Sequence, residues 1–243
     1  MGDIATYHER LLNNQKWLPI ESNPEVMNKF MYSCGLPEDK WEVSDVYGLD
    51  DALLALPKPV LSLMLLIPAN EKYDDYCKQE ATMNELSMAI PQNLYYMTHP
   101  MRNCCGAAAM IHAIANNLDQ VGLKDESLLQ KFLNETTDKN PIERAISLDN
   151  DDDICATPNQ FAQGGQTSAP NAEDQVDYHY VTFVENGGYL FELDAGKSSA
   201  INLGKTSKET FLADAANKCQ DYMKRDPENM NFVVLALAAK ISV

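Results

Sequence analysis

The most apolar run in the chain, Val60 to Ile67, offers no polar face. A strand that is apolar on both sides belongs inside a covered sheet, so Val60 to Pro68 is expected to be central and buried. Other elements are marked at their ends. Pro24 to Leu36 reads as a helix, because Asn23 can cap it, Pro24 suits its first position and Gly35 can end it. Trp41 to Gly48 reads as a strand, Asp50 to Leu56 as a short helical turn, and Leu94 to Met97 as aromatic and strand-like. Cys105 to Leu118 is a helix rich in Ala, Met and Ile, and Asp125 to Thr136 is a second one. Tyr178 to Val184 and Tyr189 to Asp194 read as a hairpin, Thr206 to Lys224 as a helix, and Phe232 to Ala238 as a final apolar strand. Such a mixture of helices and strands predicts an α/β or α+β fold.

The remaining stretches are polar. Residues 70–92 carry many charges and are expected to be loop with some helix. Residues 148–175, crowded with Asp, Asn, Gln and Gly, are much longer than an ordinary connection, and loops of that length are usually functional or disordered. Residues 1–16 are a polar N-terminal extension. No repeat or linker divides residues 17–243, which are expected to form a single domain.

Charge narrows the partners. The 243 residues carry a formal net charge of −17 on an otherwise ordinary globular composition. Such acidity argues against nucleic acid and against anionic membrane surfaces, both of which call for Lys and Arg. It favours a partner of basic character, although solubility alone also explains it. No segment has the form of a secretory signal, and the run at Val60 is far short of the about 20 residues that cross a bilayer. The expected setting is cytoplasmic, or nuclear as well, and the expected state monomeric. Cys34, Cys77, Cys104, Cys105, Cys155 and Cys219 show no CxxC pair and no regular spacing. In a reducing compartment they are free thiols, mostly small buried hydrophobes.

The adjacent pair Cys104–Cys105 differs from the others, because it lies where a segment containing Pro100 and Asn103 passes into the helix Gly106-Ala107-Ala108-Ala109-Met110. A thiol at a helix start sits in the field of unpaired N–H groups, which favours the thiolate. Gly106 leaves room for a substrate backbone to approach. The alternative is a buried thiol at a helix end, so a partner is needed to decide.

Of the four histidines, His8 falls in the extension, and His112 lies about 10 Å further along the same helix, out of reach of Cys105. His99 precedes Cys105 by six residues. His179 begins the strand Tyr178-His179-Tyr180-Val181-Thr182-Phe183-Val184, which turns at Asn186-Gly187-Gly188 and returns as Tyr189 to Asp194. A turn at Asn186-Gly187 places His179 directly opposite Asp194; a turn at Gly187-Gly188 leaves Asp194 a diagonal neighbour, still within reach. A carboxylate beside an imidazole fixes its tautomer and supports its charged form. Cys, His and Asp together point to nucleophilic acyl transfer. The cysteines and histidines lack zinc-ligand spacing, and no Gly-rich phosphate loop is present.

At these residues the chain resembles the ubiquitin carboxyl-terminal hydrolases, short single-domain members in particular. Tyr95-Tyr96-Met97, Asn103-Cys104-Cys105-Gly106 and Ile111-His112-Ala113-Ile114-Ala115-Asn116-Asn117 resemble the family's nucleophile segment. Val176-Asp177-Tyr178-His179-Tyr180 resembles its histidine strand and Leu190-Phe191-Glu192-Leu193-Asp194 its aspartate strand. Trp17-Leu18-Pro19-Ile20-Glu21-Ser22-Asn23-Pro24-Glu25-Val26, Val46-Tyr47-Gly48-Leu49 and Arg225-Asp226-Pro227 resemble its two ends.

The resemblance implies a papain-like fold, with a mainly antiparallel sheet between helices and a knotted backbone. It implies Cys105 rather than Cys104 as nucleophile, His179 as general base and Asp194 as its orienter, with no cofactor and no metal. The implied reaction is hydrolysis of esters, thioesters, amides or short peptides after the C-terminal glycine of ubiquitin, and also of Nedd8. The stretch at about 148–175 matches the family's active-site crossover loop. One position departs from the pattern: six residues before the nucleophile the family carries a glutamine that helps hold the oxyanion, and here stands His99. A neutral imidazole has one N–H to offer in its place. Two functions therefore follow: an active thiol hydrolase, or a ubiquitin-binding protein with weakened or absent catalysis.

Overall fold

A computed structural model describes residues 17–84, 90–99, 102–161 and 177–241. The N-terminal extension 1–16 with His8, and residues 162–176 of the long connection, lie outside them. Among the described residues the strands are β1 (Trp41–Asp45), β2 (Val60–Pro68), β3 (Tyr178–Asn186), β4 (Tyr189–Leu193), β5 (Ile201–Lys205) and β6 (Val233–Ala239). They form one sheet in the order β1-β6-β2-β3-β4-β5, antiparallel at every pairing. The apolar run at Val60 is thus interior, between β6 and β3, as its two-sided apolarity predicts.

The helices are α1 (Pro24–Cys34), α2 (Glu71–Asn84), α3 (Cys105–Ala115), α4 (Leu118–Val121), α5 (Leu128–Thr136), α6 (Pro141–Asn150), α7 (Asp152–Phe161) and α8 (Phe211–Arg225). The side chains of β2, β3 and β6 alternate between two cores. Leu63, Leu65, Ile67, Val181, Phe183, Val234 and Ala236 pack against Phe211, Ala215, Cys219 and Tyr222 of α8. Met64, Tyr180, Leu235 and Leu237 pack on the other face against α1, α3 and α5. The small residues Ala107, Ala108 and Ala109 are buried to 3% exposure or less, so α3 lies close against the sheet.

Several element ends follow the expected chemistry. Asn23 Oδ1 accepts the Glu25 N–H at 2.8 Å, and Gly35 closes α1 in the left-handed region at φ 116°. A side chain at Gly35 would also strike Ser127, 2.2 Å away. Others differ from expectation for local reasons. The helix expected from Asp125 begins at Leu128, because Glu126 takes φ 55°. The helix expected to reach Leu118 stops at Ala115, where Asn116 and Asn117 bond back to the carbonyls of His112 and Ala113 at 2.9 Å. The strand expected to Gly48 ends at Asp45, opposite Leu235, with one further bond from the Val46 N–H to the Val234 carbonyl at 2.9 Å. The helix expected from Thr206 starts at Phe211, after Thr206, Ser207 and Thr210 form a hydrogen-bonded turn.

Leu94 to Met97 belongs to no strand. Its polar backbone is satisfied by side chains instead: Asn116 bridges the N–H and C=O of Tyr95 at 2.9 and 2.8 Å, and His112 Nε2 accepts the Met97 N–H at 3.0 Å. The stretch expected as loop from residue 148 is helical through Phe161, with a break at Asp151, whose Oδ1 accepts the Ile154 N–H at 2.9 Å. Ile154 and Cys155 seat this helix in the core. The polar segment after residue 70 is largely α2.

Candidate active site

Cys105 is the first residue of α3, entered from a single tight turn at Arg102–Cys104. Its side chain lies at the positive end of the helix, and the residue is 7% exposed. Cys104 is wholly buried, and that burial pushes its thiol well above the usual range. The two neighbouring thiols thus differ sharply in access. Gly106 faces inward, where a side-chain carbon would stand 3.3 Å from Ile20 Cβ and 3.5 Å from the Tyr180 ring. Close packing of helix on sheet, rather than room for a substrate, is what this glycine provides.

The hairpin turns at Gly187-Gly188, with φ of 60° and 83°, and Asn186 pairs with Tyr189. Of the two registers open to the sequence, this is the one that does not set His179 directly opposite Asp194. Asp194 falls just past the end of β4 and reaches His179 diagonally, its Oδ1 2.5 Å from His179 Nε2. The Cys105 thiol acts on the same ring and helps to raise its pKa. A thiol, an imidazole and a carboxylate, drawn from α3, β3 and the end of β4, are therefore brought together.

Burial disfavours charge on His179, but the Asp194 carboxylate, its hydrogen bond and the Cys105 thiol outweigh it and raise the ring's pKa. Burial likewise opposes the Asp194 charge, and His179, Lys197 and a Tyr73 hydrogen bond overcome it and lower that carboxyl. Asp194 Oδ1 also accepts the Gly196 N–H at 2.8 Å, while Oδ2 accepts the Tyr73 hydroxyl. Tyr96 Oη lies 2.6 Å from the carbonyls of both Asp194 and Lys197, and Thr98 Oγ1 donates to the latter at 2.7 Å. The backbone that presents Asp194 is held from several sides.

His99 is buried beside this loop. Its N–H bonds to the Ala195 carbonyl at 2.7 Å, and its Nε2 lies 2.8 Å from Asp149 Oδ1 near the end of α6. The same oxygen accepts the Trp17 indole N–H at 2.9 Å. A neutral ring that donates Nε2–H to Asp149 has a lone pair at Nδ1, so donation at both nitrogens requires the imidazolium. His112 stands apart, buried in α3 and stacked on Tyr96 at 5.4 Å. Burial lowers its pKa to about 3. It is a neutral structural group in the core, more deeply set than the core-edge position expected of it.

The sequence reading missed Tyr73, Asp149, Trp17 and Gly196, together with a buried ion cluster behind Asp194. There Lys197 Nζ meets Glu192 Oε1 at 2.5 Å and also pairs with Glu80, while the Tyr222 hydroxyl donates to Glu192 at 2.8 Å. Only Gly196 and Lys197 carried a signal, as near neighbours of Asp194.

A thiol at the head of a helix, joined through an imidazole to a buried carboxylate between two helical layers, is the constitution of a cysteine hydrolase. Residues 17–224 match the family described as ubiquitin carboxyl-terminal hydrolase, family 1. A Drosophila melanogaster ubiquitin carboxyl-terminal hydrolase is 41% identical over 225 residues, spanning 92% of this chain and 97% of that one. Human ubiquitin carboxyl-terminal hydrolase isozyme L1 is 34% identical over 221 residues, or 90% and 96% of the two chains. The solved catalytic domain of Trichinella spiralis UCH37, bound to ubiquitin vinyl methyl ester, shares the fold with a TM-score of 0.74 at 21% identity, covering 92% and 96%. This chain belongs to the ubiquitin carboxyl-terminal hydrolase family, and it is a thiol-dependent hydrolase with a papain-like α/β fold.

Proposed function

We propose that the protein cleaves small adducts from the C-terminal glycine of ubiquitin, with Cys105 as nucleophile, His179 as acid and base, and Asp194 as the group that orients His179. The observation that carries this is the His179 ring, held 2.5 Å from the buried Asp194 carboxylate and under the influence of the Cys105 thiol at the head of α3. In this reading the Cys105 thiolate adds to the carbonyl carbon of the terminal glycine. The Cys105 backbone N–H receives the oxyanion, and His99 adds a second donor only by turning its N–H away from Asp149 or by carrying a second ring proton. His179 gives its proton to the departing amine, alcohol or thiol as the tetrahedral adduct collapses to a thioester. Water then attacks the thioester as His179 takes a proton from it, and Cys105 is released.

Ubiquitin as substrate is supported by the family match and by the ubiquitin ester bound to the UCH37 relative. Nedd8 is a second substrate of the same form. A net charge of −17 suits a basic tail ending in glycines. The protein acts as a monomer in the cytosol or nucleus, a setting that six free cysteines suit.

Turnover of a fluorogenic amide at the ubiquitin C-terminus tests the assignment. Cys105→Ala abolishes it and Cys104→Ala retains it; the reverse pattern would refute the choice of nucleophile. The engagement of His99 with Asp149 favours one second reading, a ubiquitin-binding protein with weakened catalysis. In that case ubiquitin binds, turnover is feeble, and His99→Gln restores it.

A further inference from the structure

Resting on the assignment of His179 and Asp194 above, we propose that Tyr73 is a positioning residue for this pair: its hydroxyl pins the Asp194 carboxylate and its ring covers the His179–Asp194 hydrogen bond. The two oxygens of Asp194 are unequally served. Oδ1 meets His179 Nε2 and the Gly196 N–H, whereas among the described residues Oδ2 has the Tyr73 hydroxyl alone. That one donor fixes the rotation of the carboxylate, and so the direction from which Oδ1 approaches the imidazole. The Tyr73 ring also lies over His179, centroids 5.5 Å apart and tilted by 36°. It occupies ground from which water would otherwise reach the Nε2 contact.

Tyr73 is itself firmly placed. It lies in the first turn of α2, where Asn70 Oδ1 accepts its backbone N–H at 3.2 Å. Asn70 Nδ2 and Lys72 both engage Asp226 at the end of α8, which ties this turn to the opposite helix. Burial and the Asp194 charge push the phenol far above its usual range, so it remains a donor throughout the working pH range.

Tyr73→Phe removes the hydroxyl and keeps the ring. Turnover should fall about tenfold, the size of one lost hydrogen bond to a charged group, with KM unchanged. The alkaline limb of the pH–rate profile should move to higher pH, because the undamped Asp194 charge holds the imidazolium more strongly. The His179 Nε2–H proton resonance should shift downfield for the same reason. A purely structural role would move neither of these last two readings. In an Asp194→Ala background Tyr73→Phe should add no further loss. Wild-type turnover and an unmoved pH limb in Tyr73→Phe would overturn the proposal, as would an equal loss in the Asp194→Ala background. If Asp194→Ala alone turns over like wild type, the assignment of Asp194 fails and the proposal falls with it. If Asp194→Ala is impaired while Tyr73→Phe is not, only the proposal fails.

Discussion

Gly196 sits two residues past Asp194, and replacing it with alanine tests how tightly the His179–Asp194 contact is enclosed. A methyl group built there would lie 3.2 Å from Asp194 Oδ1, 3.4 Å from His179 Cε1 and 3.5 Å from His179 Nε2. The two contacts with His179 are tolerable or nearly so, while the one with the carboxylate oxygen is too close by a few tenths of an ångström. The backbone cannot give way easily, because the Gly196 N–H is bonded to the same oxygen at 2.8 Å. The carboxylate therefore shifts, and the 2.5 Å contact to Nε2 lengthens. A displacement of about 1 Å can cost on the order of 100-fold in rate, so a few tenths should lower kcat by about three- to tenfold. KM should hold, because nothing that touches substrate moves. Gly196 does not lie in the left-handed region, so alanine carries no backbone strain there, and the stiffer unfolded chain contributes about 0.4–1 kcal/mol of stability. Steady-state hydrolysis of a ubiquitin C-terminal amide and a thermal melt on the same sample give both readings. Wild-type kcat, with a melting temperature raised by the stiffer unfolded chain, would mean that the carboxylate has room to spare, and the argument from enclosure would be wrong.

Three other expectations follow from the charges and buried donors. Asp194→Ala should shift the alkaline limb of the pH–rate profile to lower pH, since the carboxylate is what raises the His179 pKa; an unmoved limb refutes this origin. His112 is protonated more readily in the unfolded chain than in the fold, where its pKa drops from 6.5 to about 3. The stability it allows is therefore intact above pH 6.5 and is lost as pH falls towards 3, by about 1.4 kcal/mol per pH unit. Urea denaturation across that range should show a shallower slope for His112→Gln, and equal slopes would count against the reading. Asp149→Ala leaves the Trp17 indole and the His99 ring without their shared acceptor, and should cost about 2–4 kcal/mol in a denaturation experiment. A loss below about 0.5 kcal/mol would show that both find other acceptors.

Cys105, His179 and Asp194 were legible for different reasons. Cys105 stood at a recognisable helix start, and the central strand Val60–Pro68 announced its burial by having no polar face. The hairpin was legible as a hairpin, but Asn186-Gly187-Gly188 holds two glycine-containing turns, and only the observed register decides between them. Long-range partners were the least visible. Tyr73 lies on a helix whose many charges hid it as loop, and Asp149 lies where α6 runs into a stretch that composition marks as irregular. The capping signals at Asn140-Pro141 and Glu143 were present, and α6 could have been found from them. Leu94 to Met97 misled for a different reason. Its aromatic residues suit a strand, yet side chains of Asn116 and His112 supply the hydrogen bonds that a neighbouring strand would have given.

Strand β6 lies between β1 and β2, so β1 touches the sheet through β6 alone. During synthesis β2 to β5 can pair with one another as they emerge, while β1 waits for residues some 200 positions downstream, as in the pairing of Trp41 with Ala239. Closing so large a loop is slow, because its entropy is lost before any contact rewards it. The segment around Trp17 and α1, which helps enclose the thiol, rests partly on that late-arriving edge through Asn28 and Val43. A nascent chain therefore carries Cys105 well before it carries the β6 strand on which β1 pairs. The sheet gains its β1 edge only once β6 has emerged.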